Sequence, residues 1–129
     1  MEVDGLRGFG RWQKGMGFAP GFWLRAFVLV ALSKKELHGY ELLNMIDEYF
    51  PEFCFCKGLS GMGTGYRILR MLEMEGLIKS RWETGEGPAK RVYSLTPEGE
   101  RAKEEILEYV KEMRNRIERF LEFAEGKEV

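Results

Sequence analysis

The final third of the chain carries an apolar repeat that predicts one long helix. Thr96 is a good helix-capping residue and Pro97 follows it at the first helical position. From there to about Ala124, apolar residues recur at alternating spacings of four and three, a heptad rhythm. They are Ile106, Val110, Met113, Ile117 and Phe120, followed by Ala124. A helix of this length cannot bury such a stripe on the core of a small chain, so we expect a second copy to cover these residues in a homodimer.

Three shorter helices and a hairpin are predicted ahead of the long helix. The helices are expected from Phe22 to Leu32, from His38 to Pro51 and from about Gly63 to Glu75, and the strands from Leu77 to Glu83 and from Lys90 to Leu95. Gly76 is expected to be the left-handed cap of the third helix. This order predicts a mainly α fold with a small β-hairpin, a winged helix-turn-helix. We expect a glycine-rich arm at 1–20, the winged helix DNA-binding domain at 21–95 and the dimerisation helix at 96–129.

Positive charge is concentrated in the third helix and the hairpin. The whole chain has a net charge of −1, but residues 57–91 hold seven Lys/Arg and four Asp/Glu, a net charge of +3. If Leu69 and Leu72 face inward, the outward side chains of the third helix are Thr64, Arg67, Arg70, Met71 and Met74. Arginine pairs well with guanine edges and with phosphate, and Lys90 and Arg91 follow the hairpin tip. The pattern predicts binding to double-stranded DNA, with the third helix in the major groove.

Four stretches of the chain resemble the PadR family of transcriptional regulators. They are Leu37-His38-Gly39-Tyr40-Glu41-Leu42, then Gly63-Thr64, Tyr66-Arg67 and Leu69-Arg70, then Leu72-Glu73 and Glu75-Gly76-Leu77-Ile78, and finally Lys90-Arg91 ahead of Tyr93-Ser94-Leu95-Thr96-Pro97-Glu98-Gly99. A single such stretch would be weak, but four in order at the right spacing are fairly specific. The resemblance runs from about Leu24 to the end of the hairpin and, more loosely, into the last helix.

The resemblance implies a homodimeric repressor that occupies operator DNA and is released by a small aromatic or other hydrophobic effector. It also implies roles for individual side chains. Thr64, Tyr66, Arg67 and Arg70 match the recognition-helix contacts, with Tyr66 on the DNA backbone, and Lys90 and Arg91 match the basic wing. The chain departs from the family at Gly61, Met62 and Gly65, where Ser, Pro and an aliphatic residue are usual. Because glycine weakens a helix, we expect the start of the recognition helix to be loose or bent.

Aromatic residues cluster ahead of and within the first helix. The candidates for an effector pocket are Trp12, Phe22, Trp23 and Phe27. Aromatic walls suit planar ligands, so one interpretation is a flat apolar pocket at the dimer interface. The simpler interpretation is packing against the final helix.

Cys54 and Cys56 are the only cysteines and raise the alternative of a metal- or thiol-responsive repressor. Two thiols make half of a structural zinc site at best, so no metal or other cofactor is expected. His38 is the only histidine, and without a nucleophile and an orienting acid it does not predict an enzyme.

Two cysteines fit a cytoplasmic protein, and the apolar stretch from Phe22 to Leu32 is too short to span a membrane. A winged helix that contacts another protein is the remaining alternative.

Overall fold

The computed structural model describes residues 20–49 and 58–126, and the side chains of 21–49 and 65–126. The elements are helix α1 (Pro20–Lys34), strand β1 (Leu37–His38), helix α2 (Gly39–Tyr49), helix α3 (Gly58–Met74), strands β2 (Ile78–Glu83) and β3 (Lys90–Leu95), and helix α4 (Pro97–Ala124). The predicted order and mainly helical fold class are confirmed. Helix α3 begins at Gly58, ahead of the predicted Gly63, and β1 was not predicted. No helix in the described ranges has the length and apolar character needed to cross a membrane.

The three strands form one small antiparallel sheet with β3 in the centre. β2 and β3 make the hairpin, in register from Ile78 opposite Leu95 to Glu83 opposite Lys90. β1 pairs with the other edge of β3, with Leu37 opposite Tyr93. Because β1 is followed directly by α2, this pairing attaches the start of α2 to the hairpin, which we call the wing.

The core is built from all four helices and the sheet. The largest fully buried side chains are Phe22, Leu24, Val28 and Leu29 of α1, Leu42, Leu43 and Ile46 of α2, Leu69 and Leu72 of α3, Ile78 of β2 and Ile106 of α4. Burial of one such side chain stabilises the fold by about 1.5–3 kcal/mol. The ring of Phe22 meets Tyr109 edge-on, with 5.6 Å between centroids, so α1 and the first half of α4 pack directly together.

The apolar stripe of α4 divides into a covered half and an open half. Ile106 is only 1% exposed and Met113 is also buried, so this part belongs to the chain's own core. Ile117 is 40% and Phe120 is 65% exposed, and Leu121 and Phe123 are exposed beside them. At 1.5 Å per residue, the segment beyond Met113 extends the helix by roughly 16 Å past that core.

An ion pair between a buried arginine and a partly exposed glutamate joins α1 to the end of α3. Arg25 is 2% exposed, and its guanidinium donates a hydrogen bond to the carboxylate of Glu75, directly after α3. A buried charge is tolerated in a core only when it is paired and hydrogen-bonded. This contact therefore fixes the C-terminal end of α3 against α1.

A compact joint connects the end of α3, the wing and the start of α4. Gly76 has φ of +80°, which confirms the predicted left-handed cap. The Thr96 hydroxyl donates to the Gly76 carbonyl oxygen at 2.7 Å and accepts from the Gly99 amide at 3.0 Å, so Thr96 is the predicted helix cap. A Cβ atom on Gly99 would lie 2.0 Å from the carbonyl oxygen of Leu77, so only glycine fits there.

Candidate nucleic-acid interface

Helix α3 buries one face and exposes the other. Leu69 and Leu72 are fully buried, as the spacing predicted. Arg67 and Arg70 are exposed, and Met71 and Met74 lie on the same outer face. Arg67 and Arg70 are one turn apart, so both guanidinium groups are available to a partner that covers this face. Thr64 lies in α3, but its side chain is outside the described residues.

Tyr66 is fitted against the first residue of α2. A Cβ atom on Gly39 would lie 3.0 Å from Cε1 of Tyr66 and 3.2 Å from Cε1 of Tyr93. The missing side chain at Gly39 therefore leaves room for both rings. Tyr66 is 37% exposed, whereas Tyr93 is buried and burial raises its pKa above the usual 10.0. Of the two tyrosines, Tyr66 is therefore the one whose side chain reaches the surface.

Gly65 explains why α3 lies so close to α2. The glycine is buried, and an added Cβ atom would lie 2.7 Å and 2.9 Å from the two Cδ atoms of Leu43. Helix α3 continues through Gly65 from Gly58 to Met74. The expectation that this glycine loosens or bends the start of the helix is therefore not supported by the geometry. Its effect is a close approach of two helices.

The two basic residues of the wing point in different directions, because neighbouring side chains on a strand alternate between faces. Arg91 donates to the hydroxyl of Ser80 at 3.0 Å, lies 3.8 Å from a carboxylate oxygen of Glu73, and stacks 5.4 Å from the centre of the Trp82 ring. Lys90 extends over Tyr40 instead, with its ammonium 6.0 Å from the ring centre. Arg91 is thus held to the sheet and to α3, whereas the charge of Lys90 lies over α2.

A cleft of about 320 Å³ opens between α3, the wing and the start of α2. Its lining combines four aromatic rings with two cations: Tyr40, Tyr66, Trp82, Tyr93, Lys90 and Arg91, with His38, Gly39 and Ala89 between them. Three predicted DNA-contact residues therefore share one surface. Tyr40 lies in one of the stretches that resemble the PadR family and Trp82 lies in a predicted strand, but neither was predicted from the sequence as a site residue.

His38 bridges α2 and the wing at the rim of this cleft. Its Nδ1 lies 2.9 Å from a carboxylate oxygen of Glu41, and its Nε2 lies 3.1 Å from one of Glu83. The hydrogen bonds to Glu41 and Glu83 raise the pKa of His38 above its ordinary 6.5. Hydrogen bonds from His38 in turn lower the pKa of Glu41 below 4.5.

A second opening, a groove of about 160 Å³, lies between α1 and the first half of α4. It is lined by Trp23, Ala26, Phe27, Val30, Ile106, Leu107 and Val110. Of the predicted effector residues, Trp23 and Phe27 line this groove, and Phe22 instead lies in the core. Trp12 is outside the described residues, as are Cys54 and Cys56.

A family model described as the transcriptional regulator PadR-like family matches residues 28–105 of the chain. Among solved structures, a PadR family transcription regulator from hypervirulent Clostridium difficile R20291 is 26% identical, with a TM-score of 0.64 over 77% of this chain and 98% of that one. A conserved protein of unknown function, described as a potential transcriptional factor, is 34% identical, with a TM-score of 0.69 over 81% and 90%.

Bacillus subtilis PadR, solved in complex with operator DNA, is 28% identical, with a TM-score of 0.53 over 65% of this chain and 46% of that one. No curated protein sequence matches the chain.

Proposed function

The chain belongs to the PadR-like family of transcriptional regulators, and we propose that it binds operator DNA as a homodimer and represses transcription by occupying that DNA. The observation that carries the proposal is the exposed face of α3. Arg67 and Arg70 project from it one turn apart, and the cleft with Tyr66 and Lys90 lies beside it. A helix with its apolar face buried and its cationic face open suits the major groove.

The contacts divide between bases and backbone. Arg67 and Arg70 reach guanine edges or phosphates from within the groove, together with Thr64. The Tyr66 hydroxyl donates to a backbone phosphate. On the wing, Lys90 supplies the principal phosphate contact, because the guanidinium of Arg91 already serves Ser80 and Glu73. Bacillus subtilis PadR, a relative that was solved with operator DNA, supports DNA binding as the function.

The open half of α4 supports the homodimer. Ile117 and Phe120 continue the heptad stripe outside the chain's own core, and Val110 and Met113 lead up to them. Contiguous exposed apolar side chains on a soluble protein mark an interaction site. A two-fold dimer through this segment presents two recognition helices, so the operator is pseudo-palindromic with half-sites about one DNA turn apart.

The direct test measures binding to the DNA upstream of the chain's own gene by fluorescence anisotropy. We expect the affinity to fall steeply with salt, because bound phosphates release counterions. Arg70→Ala should weaken binding by about tenfold, the loss typical of one well-placed base or phosphate contact. Arg101→Ala is the matched control, since Arg101 is an exposed arginine on α4 rather than on α3. Equal affinities for the two variants would refute the groove assignment, and no binding even at low salt would favour a protein-interaction module.

We also propose that a small hydrophobic effector binds the groove between α1 and α4. Its volume is about that of a cavity that holds one aromatic ring. Trp23 and Phe27 form aromatic walls, and Val110 belongs to the predicted dimer stripe, so occupancy can alter how two subunits pack. A planar one-ring probe such as benzene should change the tryptophan fluorescence of the chain and weaken DNA binding. A Phe27→Ala variant should lose both responses, and retention of both would refute the assignment.

A further inference from the structure

Besides the pairing of β1 with β3, an imidazole ring links the start of α2 to the far end of β2 in the wing. His38 is the last residue of β1, and its two ring nitrogens face two carboxylates on different elements. Glu41 is in the first turn of α2, and Glu83 is the last residue of β2, next to the wing tip. The ring therefore lies between α2 and the tip of the wing, the part of the wing that is proposed to contact DNA.

This bridge needs a proton on both nitrogens. A neutral imidazole has one N–H donor, whereas the imidazolium ion has two. The Glu41 carboxylate also accepts a hydrogen bond from the backbone amide of His38 at 2.9 Å. This bond persists whether the imidazole is charged or neutral. Glu83 has only the Nε2 contact to the ring. Loss of the second proton therefore releases Glu83, and with it the tip end of β2, in preference to Glu41, while the pairing of β1 with β3 persists.

The surroundings of the ring favour the charged form. Glu41 on α2 and Glu83 on β2 are the two anions that face it, and the Tyr40 ring stacks on it with 5.7 Å between centroids. The nearest cations act from further away: Lys90 of β3 lies on Tyr40, and Lys35 acts on Glu41. Hydrogen bonds to the two carboxylates raise the pKa of His38, so its titration falls above pH 6.5.

We propose that His38 is a positioning residue for DNA binding, which holds the tip end of the wing against the start of α2 when doubly protonated and releases that end when neutral, so that operator affinity declines as pH rises. The inference rests on the proposed DNA-binding function and adds a pH dependence to it. His38 is the only histidine in the chain, so one imidazole accounts for the effect.

The first experiment observes the ring directly. With one histidine, the imidazole protons give one titrating set of signals in the NMR spectrum of the full chain. We expect a pKa above 6.5 that falls in Glu83→Gln, because the amide no longer favours the cation. A wild-type pKa at or below 6.5, or one that Glu83→Gln leaves unchanged, overturns the bridge.

The second experiment measures operator affinity from about pH 6 to about pH 9 at constant salt. Cys54→Ser and Cys56→Ser are present in every variant, so that thiol ionisation does not contribute. We expect affinity to decline by about two- to fivefold, which corresponds to one exposed charged contact. His38→Gln should bind with little pH dependence, at about the affinity of the high-pH form.

Glu36→Gln is the matched control. It removes a different carboxylate that holds the wing, the one 3.0 Å from Arg81 of β2, without touching the histidine. We expect Glu36→Gln to keep the full pH dependence. An equal pH dependence in the parent and in His38→Gln, or its loss in Glu36→Gln, overturns the assignment to His38.

Salt separates positioning from direct contact. If the imidazolium itself met a phosphate, the slope of log affinity against log salt would differ by about one between the two ends of the pH range. A positioning role leaves that slope unchanged, so a change of one overturns it. Absence of DNA binding at every pH refutes the proposed function itself, whereas binding that is independent of pH refutes only the role of His38.

Discussion

Gly39 and Tyr66 meet so closely that a Cβ atom on the glycine would lie 3.0 Å from Cε1 of the ring. Tyr66 is on α3 and Gly39 starts α2 next to β1, so the contact helps to set the position of α3 relative to the wing. The same added Cβ atom would lie 3.2 Å from Tyr93 of the central strand. The absence of a side chain at Gly39 thus allows α2, α3 and β3 to pack closely together.

Gly39→Ala should therefore weaken DNA binding more than it weakens the fold. The new methyl group displaces the Tyr66 ring, and we expect about a threefold to tenfold loss of affinity and roughly 1 kcal/mol of destabilisation. Anisotropy and urea unfolding measure the two effects. Gly85→Ala is the control, because its added Cβ atom meets nothing within 4 Å. Affinity equal to that of the wild type would show that the Tyr66 position is unimportant.

Glu75→Gln should destabilise the chain by about 1–3 kcal/mol, because it removes the carboxylate that compensates a buried guanidinium. Arg25 is fully inside the core, whereas Glu75 reaches solvent, so Arg25→Met should cost less. Denaturant unfolding measures both. Glu100→Gln makes the same change in the surface pair with Lys103, where we expect less than about 0.5 kcal/mol. Similar costs at positions 75 and 100 would contradict a structural role for the buried pair.

Thr96→Ala should cost about 1 kcal/mol, since α4 loses its cap and the Gly76 carbonyl loses a donor. Thr96→Ser keeps the hydroxyl and should retain most of the stability. Gly99→Ala should cost about 3 kcal/mol or more, because its methyl group collides with the backbone at Leu77. Thermal unfolding orders the three variants. A Thr96→Ser variant as unstable as Thr96→Ala would contradict the capping role.

Phe120→Ser should shift the protein towards monomer without unfolding it, because Phe120 contributes little to its own chain's core. Loss of one large anchor from a dimer interface is expected to weaken association by at least about thirtyfold. Sedimentation velocity measures the association, and circular dichroism checks the helix content. Met74→Ser removes another exposed apolar side chain, from α3, and should leave the oligomeric state unchanged. A dimer that survives Phe120→Ser intact would place the interface elsewhere.

Stability should depend on pH through the pair His38 and Glu41. Because the folded state raises the pKa of His38, its contribution is complete below pH 6.5 and is lost as pH rises through the raised value. Because the folded state lowers the pKa of Glu41, that contribution is complete above pH 4.5 and is lost as pH falls through the lowered value. A scan of Tm against pH should show the alkaline decline in the wild type and a shallower one in His38→Gln. Parallel curves would contradict the linkage.

Periodicity and capping residues predicted the helices and the hairpin well, because burial on one face and hydrogen bonding at the ends are local requirements. Thr96 and Pro97 marked the start of α4, and Leu69 and Leu72 marked the inner face of α3. Strand β1 has only two residues, too few for an alternation to be visible. Its existence depends on pairing with Tyr93 and Val92, which are distant in the chain.

The sequence could not predict that the apolar stripe of α4 divides into a covered half and an open half. Ile106 and Phe120 occupy equivalent heptad positions, and only the end of the core distinguishes them. The roles of Gly65 and His38 depend on Leu43 and Glu83, whose proximity arises from the tertiary fold. From the local sequence alone, a glycine within a helix predicts a less stable helix. Its role in close helix packing becomes apparent only when the neighbouring helix is known.

The joint between Leu77, Thr96 and Gly99 also limits where the chain length can change. Backbone meets backbone there, so the wing and α4 are joined without a flexible linker. One residue inserted within α4 between Gly99 and Ile117 would turn everything beyond it by about 100° about the helix axis. The exposed apolar residues of α4 beyond Met113 would then face another direction. A dimer built on them would hold its two winged helix domains at another separation. Insertions and deletions are therefore expected to be tolerated at the wing tip and excluded from this stretch of α4.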